Sequence, residues 1–212
     1  MASTMIHVAI ANEINKKIGR DYNKILIGAI APDLSKIIGK RKEKSHFIPI
    51  MYSDIPDVSL FLKKYKKYLK DDFVLGYFIH IYTDYLWFKY FIPEIYSYGL
   101  IKKLDGTIVR CTQRQMINYI YSDYTNLNIQ LIDEYELNLK IFYNDLPKLK
   151  YIIDEIEMNK LNLLIDKISL IIANTKERKE YVFDITNIKQ FIDISVKLIL
   201  AKIEELGIVI NE

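Results

Sequence analysis

The residues of this 212-residue chain best suited to chemistry are a histidine and an aspartate four positions apart on an apolar stretch, Gly76-Tyr-Phe-Ile-His80-Ile-Tyr-Thr-Asp84. On a helix, residues four apart share a face one turn from each other. An imidazole nitrogen and a carboxylate oxygen so placed can both reach one divalent ion at about 2.0–2.2 Å. Burying an ionised carboxylate among apolar neighbours is costly unless it is paired or bound to metal. Asp84 has no basic residue at helical spacing, because Lys89 lies five positions on. The plain alternative is a histidine–aspartate hydrogen bond inside a core.

Three further units carry the same residue types. The chain has three histidines, His7, His46 and His80, all within its first 80 residues and in three different elements. In Ile27-Gly-Ala-Ile-Ala-Pro-Asp33, Pro32 breaks a short helix and Asp33 projects from the break. Ser45-His46-Phe47 falls in a loop between basic and apolar residues. His7 lies on the apolar side of a first helix, near Ile10 and Ile14. Each has a bland alternative: a turn or cap carboxylate for Asp33, a surface histidine for His46, a core histidine bonded to a carbonyl for His7.

The elements that must position these residues are helical. Glycine (7) and proline (5) are scarce, so turns are few and apolar-periodic segments run long. Ile6, Ile10, Ile14 and Ile18 predict a helix over roughly residues 5–18, ended by Gly19. A short helix is expected over 22–30, then an irregular loop over 34–56. Asp57 can cap a helix over 58–70, and Asp71 or Asp72 one over 73–91, closed by Pro93. That last helix is apolar on nearly every side and belongs at the centre, with Tyr77, Tyr82, Tyr85, Trp87 and Phe88 as core. Residues 99–112 are ambiguous, with a short strand at 107–110. Helices follow over 113–143, 147–173 (Pro147 at its start) and 186–206, capped by Asp184 or Thr186. Tyr181-Val-Phe183 has an extended pattern. The expectation is one all-α domain of about seven helices over 1–212. Its 1–95 half carries the site, and helices 113–212 are a candidate subdomain.

Composition narrows the function classes. Half of the residues are hydrophobic, 27% are charged and the net charge is +3. A mild charge without a clustered basic face predicts no stable nucleic-acid binding. Cys111 is the only cysteine, which excludes an intramolecular disulfide and a thiolate metal cage; it reads as a small, partly buried hydrophobe. No apolar segment approaches the ~18 residues of a membrane span. The first residues lack the basic region and apolar run of a secretory signal, so a cytoplasmic protein is expected.

Taken in order, the four units resemble the zinc-dependent phospholipase C superfamily, which is related to P1-type nucleases. The units are an early histidine on a first helix, Pro32-Asp33 at a helix break, His46 before an aromatic, and Gly76-Tyr-x-x-His80-x-x-x-Asp84. The resemblance covers residues 5–90. It implies an all-helical fold and hydrolysis of phosphoesters, such as phospholipid or nucleotide phosphodiesters, by metal-activated water. It implies that Asp33, His46, His80 and Asp84 surround one zinc ion, with Asp84 bridging to a second ion held partly by His7. In the family's secreted members the free N-terminal amine completes that second site. The family's third zinc uses histidines beyond this helix, and the chain has none after His80. Glu94, Asp105 and Asp123 are the only carboxylates at hand to replace them, and they read as solvated surface acids. The expectation is therefore one ion, with room for a second and not a third.

Asp33 is the candidate to act both as ligand and as proton acceptor. Lys36, Arg41, Lys42 and Lys44 are candidates to screen a substrate phosphate. The competing function is a non-catalytic helical protein in which one metal ion, closed in by four protein ligands, holds the fold together. A phosphohydrolase built on an adjacent His-Asp pair ranks low, because no histidine here is followed by aspartate.

Overall fold

A computed structural model describes residues 1–49, 53–173 and 179–208. Helix α1 (Thr4–Ile18) starts where the Ser3 hydroxyl accepts the Ile6 N–H, and ends at Gly19, left-handed at φ 62°. Helix α2 (Tyr22–Ile30) is capped by Asp21. It does not stop at Pro32, as the sequence suggested. The backbone tightens into a 3-10 turn over Ala31–Asp33 and runs on as α3 (Leu34–Ile37). Pro32 is tolerated because it sits in the first turn, where its missing N–H has no intrahelical partner to lose. The expected loop over 34–56 therefore begins about four residues later, and residues 50–52 of it lie outside the described ones.

Helix α4 (Val58–Tyr65) is capped by Asp57 and finishes in a 3-10 turn over Lys66–Tyr68. Helix α5 (Asp72–Leu86) follows, capped by Asp71. Pro93 does not close the apolar segment either. A π-helical turn over Trp87–Phe91 leads into α6 (Ile92–Ile95), which carries Pro93 in its first turn. The ambiguous stretch forms a three-stranded antiparallel sheet in the order β1 (Tyr96–Ser97), β2 (Leu100–Lys102), β3 (Ile108–Arg110). The protein is thus mostly helical with one small sheet, compatible with the all-α expectation. Helices α7 (Gln113–Glu134), α8 (Leu161–Ala173) and α9 (Ile185–Glu205) complete the chain. Reciprocal capping boxes start α7 (Thr112 with Gln115) and α9 (Asp184 with Asn187).

The C-terminal half departs furthest from expectation. The helix expected over 113–143 ends at Glu134. Glu136 turns left-handed at φ 48°, and the Leu137 N–H reaches back to the Ile132 carbonyl. The helix expected from Pro147 begins only at Leu161. Tertiary contacts hold the intervening chain out of a helix: the Asp154 N–H donates to the Tyr65 hydroxyl at 3.0 Å, and that hydroxyl donates to Glu155 at 2.5 Å. Leu146, Leu149, Ile152, Ile153 and Ile156 meanwhile pack on the core.

Two features fix the frame around the histidines. Helices α2 and α5 touch backbone to backbone. A β-carbon on Gly28 would stand 2.2 Å from the Phe73 carbonyl oxygen, and one on Gly76 would stand 2.1 Å from that of Ile25. Helix α1 packs on α2, α5, α7 and α9, so the first helix ties both halves of the chain to one hydrophobic core. No helix among the described residues is long and apolar enough to cross a membrane.

Candidate metal centre

His7 comes from α1, Asp33 from the 3-10 turn after α2, and His80 and Asp84 from one face of α5. His46 comes from the loop after α3, where its N–H bonds to the Lys42 carbonyl. All five side chains meet in the interior. The three histidines have no exposed surface, Asp84 has 1% and Asp33 has 8%. His46 is therefore not a surface residue, and the loop before α4 is folded inward. The Tyr77 hydroxyl helps to pin it, donating to the Ser45 carbonyl at 2.6 Å.

Three donor atoms stand around His46 Nε2. His80 Nε2 lies 3.3 Å from His46 Nε2 and 3.6 Å from Asp84 Oδ2. His46 Nε2 lies 3.7 Å from Asp33 Oδ1 and 3.8 Å from Asp84 Oδ2. Donors bound tetrahedrally at about 2.0–2.1 Å stand about 3.3–3.4 Å from each other, so these spacings are close to what one ion requires. His7 Nε2 lies 3.4 Å from the other oxygen of Asp84, Oδ1, and the His7 ring stacks on His80 at 3.8 Å. The cluster thus contains two buried triads, His7–His80–Asp84 and Asp33–His46–His80, either of which can hold a metal ion. Both use His80, whose other nitrogen is engaged elsewhere, so the two triads share a single ligand atom.

Outer contacts set the tautomers. His80 Nδ1 donates to the Ala29 carbonyl at 2.7 Å, and His46 Nδ1 to the Lys42 carbonyl at 3.1 Å. A carbonyl only accepts, so Nδ1 carries the proton in His80 and its Nε2 presents a lone pair to the cluster, whereas His46 Nδ1 also lies 2.9 Å from the Ser45 hydroxyl, which can donate or accept. Of the buried side-chain polar atoms without a hydrogen-bond partner among the described residues, four belong here: His7 Nδ1 and Nε2, Asp33 Oδ1 and Asp84 Oδ2. Buried polar atoms seldom go unpaired. Three neutral imidazoles and two carboxylates leave a net charge that one divalent cation balances.

Electrostatics favours this ligand state. Burial alone would raise the Asp84 carboxyl, but its contacts with His7 and His80 hold it well below the usual range. Asp33 is likewise held low against its burial, through His46, His80 and Lys36. Burial pushes His7 down from 6.5 to about 4, and burial lowers His46 too. The Met1 amino group is also buried within reach of Asp84, and burial takes it down to about 5.

A pH dependence of the metal-free protein follows. Between about 4 and 6.5 the unfolded chain binds a proton at His7 that the native state refuses, so stability falls as pH falls through that window. The slope from His7 alone is about 1.4 kcal/mol per pH unit, and His46 adds in the same direction. Asp33 and Asp84 extend the loss below 3.8, where the unfolded carboxylates take up protons first. Urea denaturation of chelator-treated protein is expected to show a clearly lower midpoint at pH 5 than at pH 7. Equal midpoints would contradict the buried, neutral histidines.

Two clefts lie near the cluster, and one of them has a cluster residue, Asp33, in its wall. One of about 320 Å³ includes Asp33, Ala2 and Lys36 in its wall, with residues of α7 and α8 opposite. A smaller one of about 240 Å³ is bordered by Met1, Lys36, Lys42, Phe88 and Tyr121. A larger cleft of about 740 Å³, between the π-helical turn, the sheet and α9, contains none of the five residues. Of the basic residues expected to screen a phosphate, Arg41 pairs with Glu43, Lys42 with Asp54, and Lys44 donates to the Asp154 carbonyl. Lys36 alone is oriented to the cluster: it borders both clefts, bonds to Tyr121 Oη at 3.5 Å, and is raised against its burial chiefly by Asp33.

The carboxylates weighed for a third ion do not join. Glu94 and Asp105 are exposed. Asp123, expected at the surface, is fully buried and accepts the N–H groups of Tyr181, Val182 and Phe183 at 2.7–3.2 Å. Burial pushes its carboxyl up to about 6 while those three donors pull the other way. It holds the chain before α9 against α7, a role its sequence neighbours do not signal. Cys111 is buried, as its hydrophobic reading implied. No family model, curated protein or solved structure matches the chain.

Proposed function

We propose that the chain is a zinc-dependent phosphoester hydrolase, of the kind its motif order resembles, acting on phosphodiesters or related small esters. The observation that carries this reading is that the buried His/Asp cluster is open at Asp33, into a cleft that Lys36 also borders. Three imidazoles with two carboxylates suit zinc better than magnesium or calcium, which prefer all-oxygen shells. A bound zinc ion would supply charge neutralisation at the phosphoryl group and acidify a water molecule at neutral pH.

The chain's own residues do the rest. His80 and His46 are locked by carbonyl partners with Nε2 facing inward, and Asp84 spans from that pair to His7. Asp33 is the member of the set that reaches a cleft, so it takes the proton from the attacking water. Lys36 steadies the anionic phosphoryl oxygens.

The test is zinc-dependent hydrolysis of bis(p-nitrophenyl) phosphate. Asp33→Asn is expected to abolish turnover, and Lys36→Gln to lower kcat/KM on the order of a hundredfold. Zinc-loaded protein without turnover on diesters or monoesters would leave the second reading, a structural ion. That reading draws on Asp33, His80 and Asp84 all standing within 3.8 Å of His46, four protein donors in all.

A further inference from the structure

The cleft at Asp33 has a second polar anomaly. Asn128, on α7 and 8% exposed, lines the cleft, and its Oδ1 is buried with no hydrogen-bond partner among the described residues. Leaving a buried acceptor unpaired costs about 1–3 kcal/mol, and an unpaired group in a native structure is a candidate for a ligand contact. Asp33, whose Oδ1 belongs to the metal cluster, lines the same cleft. The same cleft has an apolar wall that includes Leu164, Ile168 and Ile172 of α8, with Ile37 and Tyr124. Lys36 and Lys167 line it and supply positive charge.

We infer that this cleft binds the organic group of the phosphoester: a compact, ring-sized and mainly apolar group that presents an O–H or N–H donor to Asn128. This rests on the hydrolase reading and names its substrate class. The phosphoryl end lies at Asp33 and Lys36, and the organic group lies along α8. At about 320 Å³ the cleft falls at the small end of ligand sites. It suits one ring and not a long acyl chain, most of which would run out over the surface. Asn128 is then a specificity-determining residue, and α8 supplies the selectivity wall.

The probes are methylphosphonate, phenylphosphonate, 4-hydroxyphenylphosphonate and hexadecylphosphonate, titrated calorimetrically into zinc-reconstituted protein. These compounds cannot be hydrolysed, so binding is read apart from turnover. Phenylphosphonate is expected to bind roughly tenfold more tightly than methylphosphonate, from burial of the ring. The 4-hydroxyl group is expected to add roughly three- to tenfold more. Hexadecylphosphonate is expected to bind no more tightly than phenylphosphonate. Asn128→Leu removes the hydroxyl gain without lowering Tm. Ile37→Trp, at a position 36% exposed and so able to take a larger side chain, collapses the phenyl-to-methyl ratio. Equal affinities for the methyl and phenyl probes, tighter binding of the long chain, or a hydroxyl gain that survives in Asn128→Leu would each overturn the inference. A drop in Tm for Asn128→Leu would also overturn it, by making the amide structural. Zinc content measured on the same samples separates the two readings: zinc bound without discrimination sinks the cleft assignment alone, and no zinc sinks both.

Discussion

Replacing Gly76 with alanine is expected to cost on the order of 3 kcal/mol, or to prevent folding, because overpacking against backbone cannot be relieved by a side-chain rotation. The new methyl group would stand 2.1 Å from the Ile25 carbonyl oxygen and 3.0 Å from the Ala29 nitrogen. Helices α2 and α5 would have to separate, and the metal centre is built across that seam. His80 leaves α5 to donate to the Ala29 carbonyl on α2, and Asp33 follows directly from α2. The variant is therefore expected to lose metal affinity along with stability. Gly106→Ala is the contrast. Gly106 is left-handed at φ 83° but has open space around it, so only backbone strain of about 1–2 kcal/mol applies there. Urea midpoints of the two variants check the ordering, and a Gly76→Ala protein as stable as wild type would show that the helices are not in backbone contact.

The second large effect is expected at Asp84. In the wild type, zinc at a hundred times its dissociation constant adds about 2.7 kcal/mol of stability, by binding only the native state. Asp84→Ala is expected to remove that gain entirely, so that Tm no longer rises with zinc. The carboxylate contributes Oδ2 beside His46 and His80 and Oδ1 beside His7, and it also accepts the Ala2 N–H at 3.0 Å. Asp84→Asn keeps the shape and removes the charge. It is expected to behave like the alanine variant toward zinc while staying closer to wild type without it. Thermal melts with and without zinc read both effects. A zinc-dependent rise in Tm that persists in Asp84→Ala would contradict a site centred on this residue.

The candidate site was more legible in the sequence than the fold around it. His80 and Asp84 sit on a helix, so their spacing fixes their relative geometry whatever the rest of the chain does. That His7, Asp33 and His46 reach the same point was not written in any local pattern. For His46 the deciding contacts are long-range, such as the Tyr77 hydroxyl on the Ser45 carbonyl, which is 32 positions away. For Asp33 the deciding feature is a continuation past Pro32, where a proline reads equally well as a stop or as a first-turn residue.

The C-terminal half was less legible for related reasons. Lys148 to Glu157 has a helical rhythm, yet Tyr65 and Lys64 of α4 hold that segment in a non-helical run. Asp123 looks like one more acid on a polar helix face, and it is a buried clamp on three backbone N–H groups 58 to 60 positions away. Tertiary contacts that outweigh local propensity cannot be read from periodicity alone. The cleft residues of α7 and α8 share this limit: Asn128 stands out only once its oxygen is seen to lack a partner.

The most direct test of the account is the metal content of the protein, purified without chelator and then reconstituted with zinc, measured by elemental mass spectrometry beside a His80→Ala, Asp84→Ala double variant. At least one zinc per wild-type chain and none in the variant are expected. A wild-type protein that retains no metal, takes up no added zinc and melts at the same temperature in its presence would contradict it. His7, His46 and His80 would then be core histidines, and Asp33 and Asp84 their hydrogen-bonding partners.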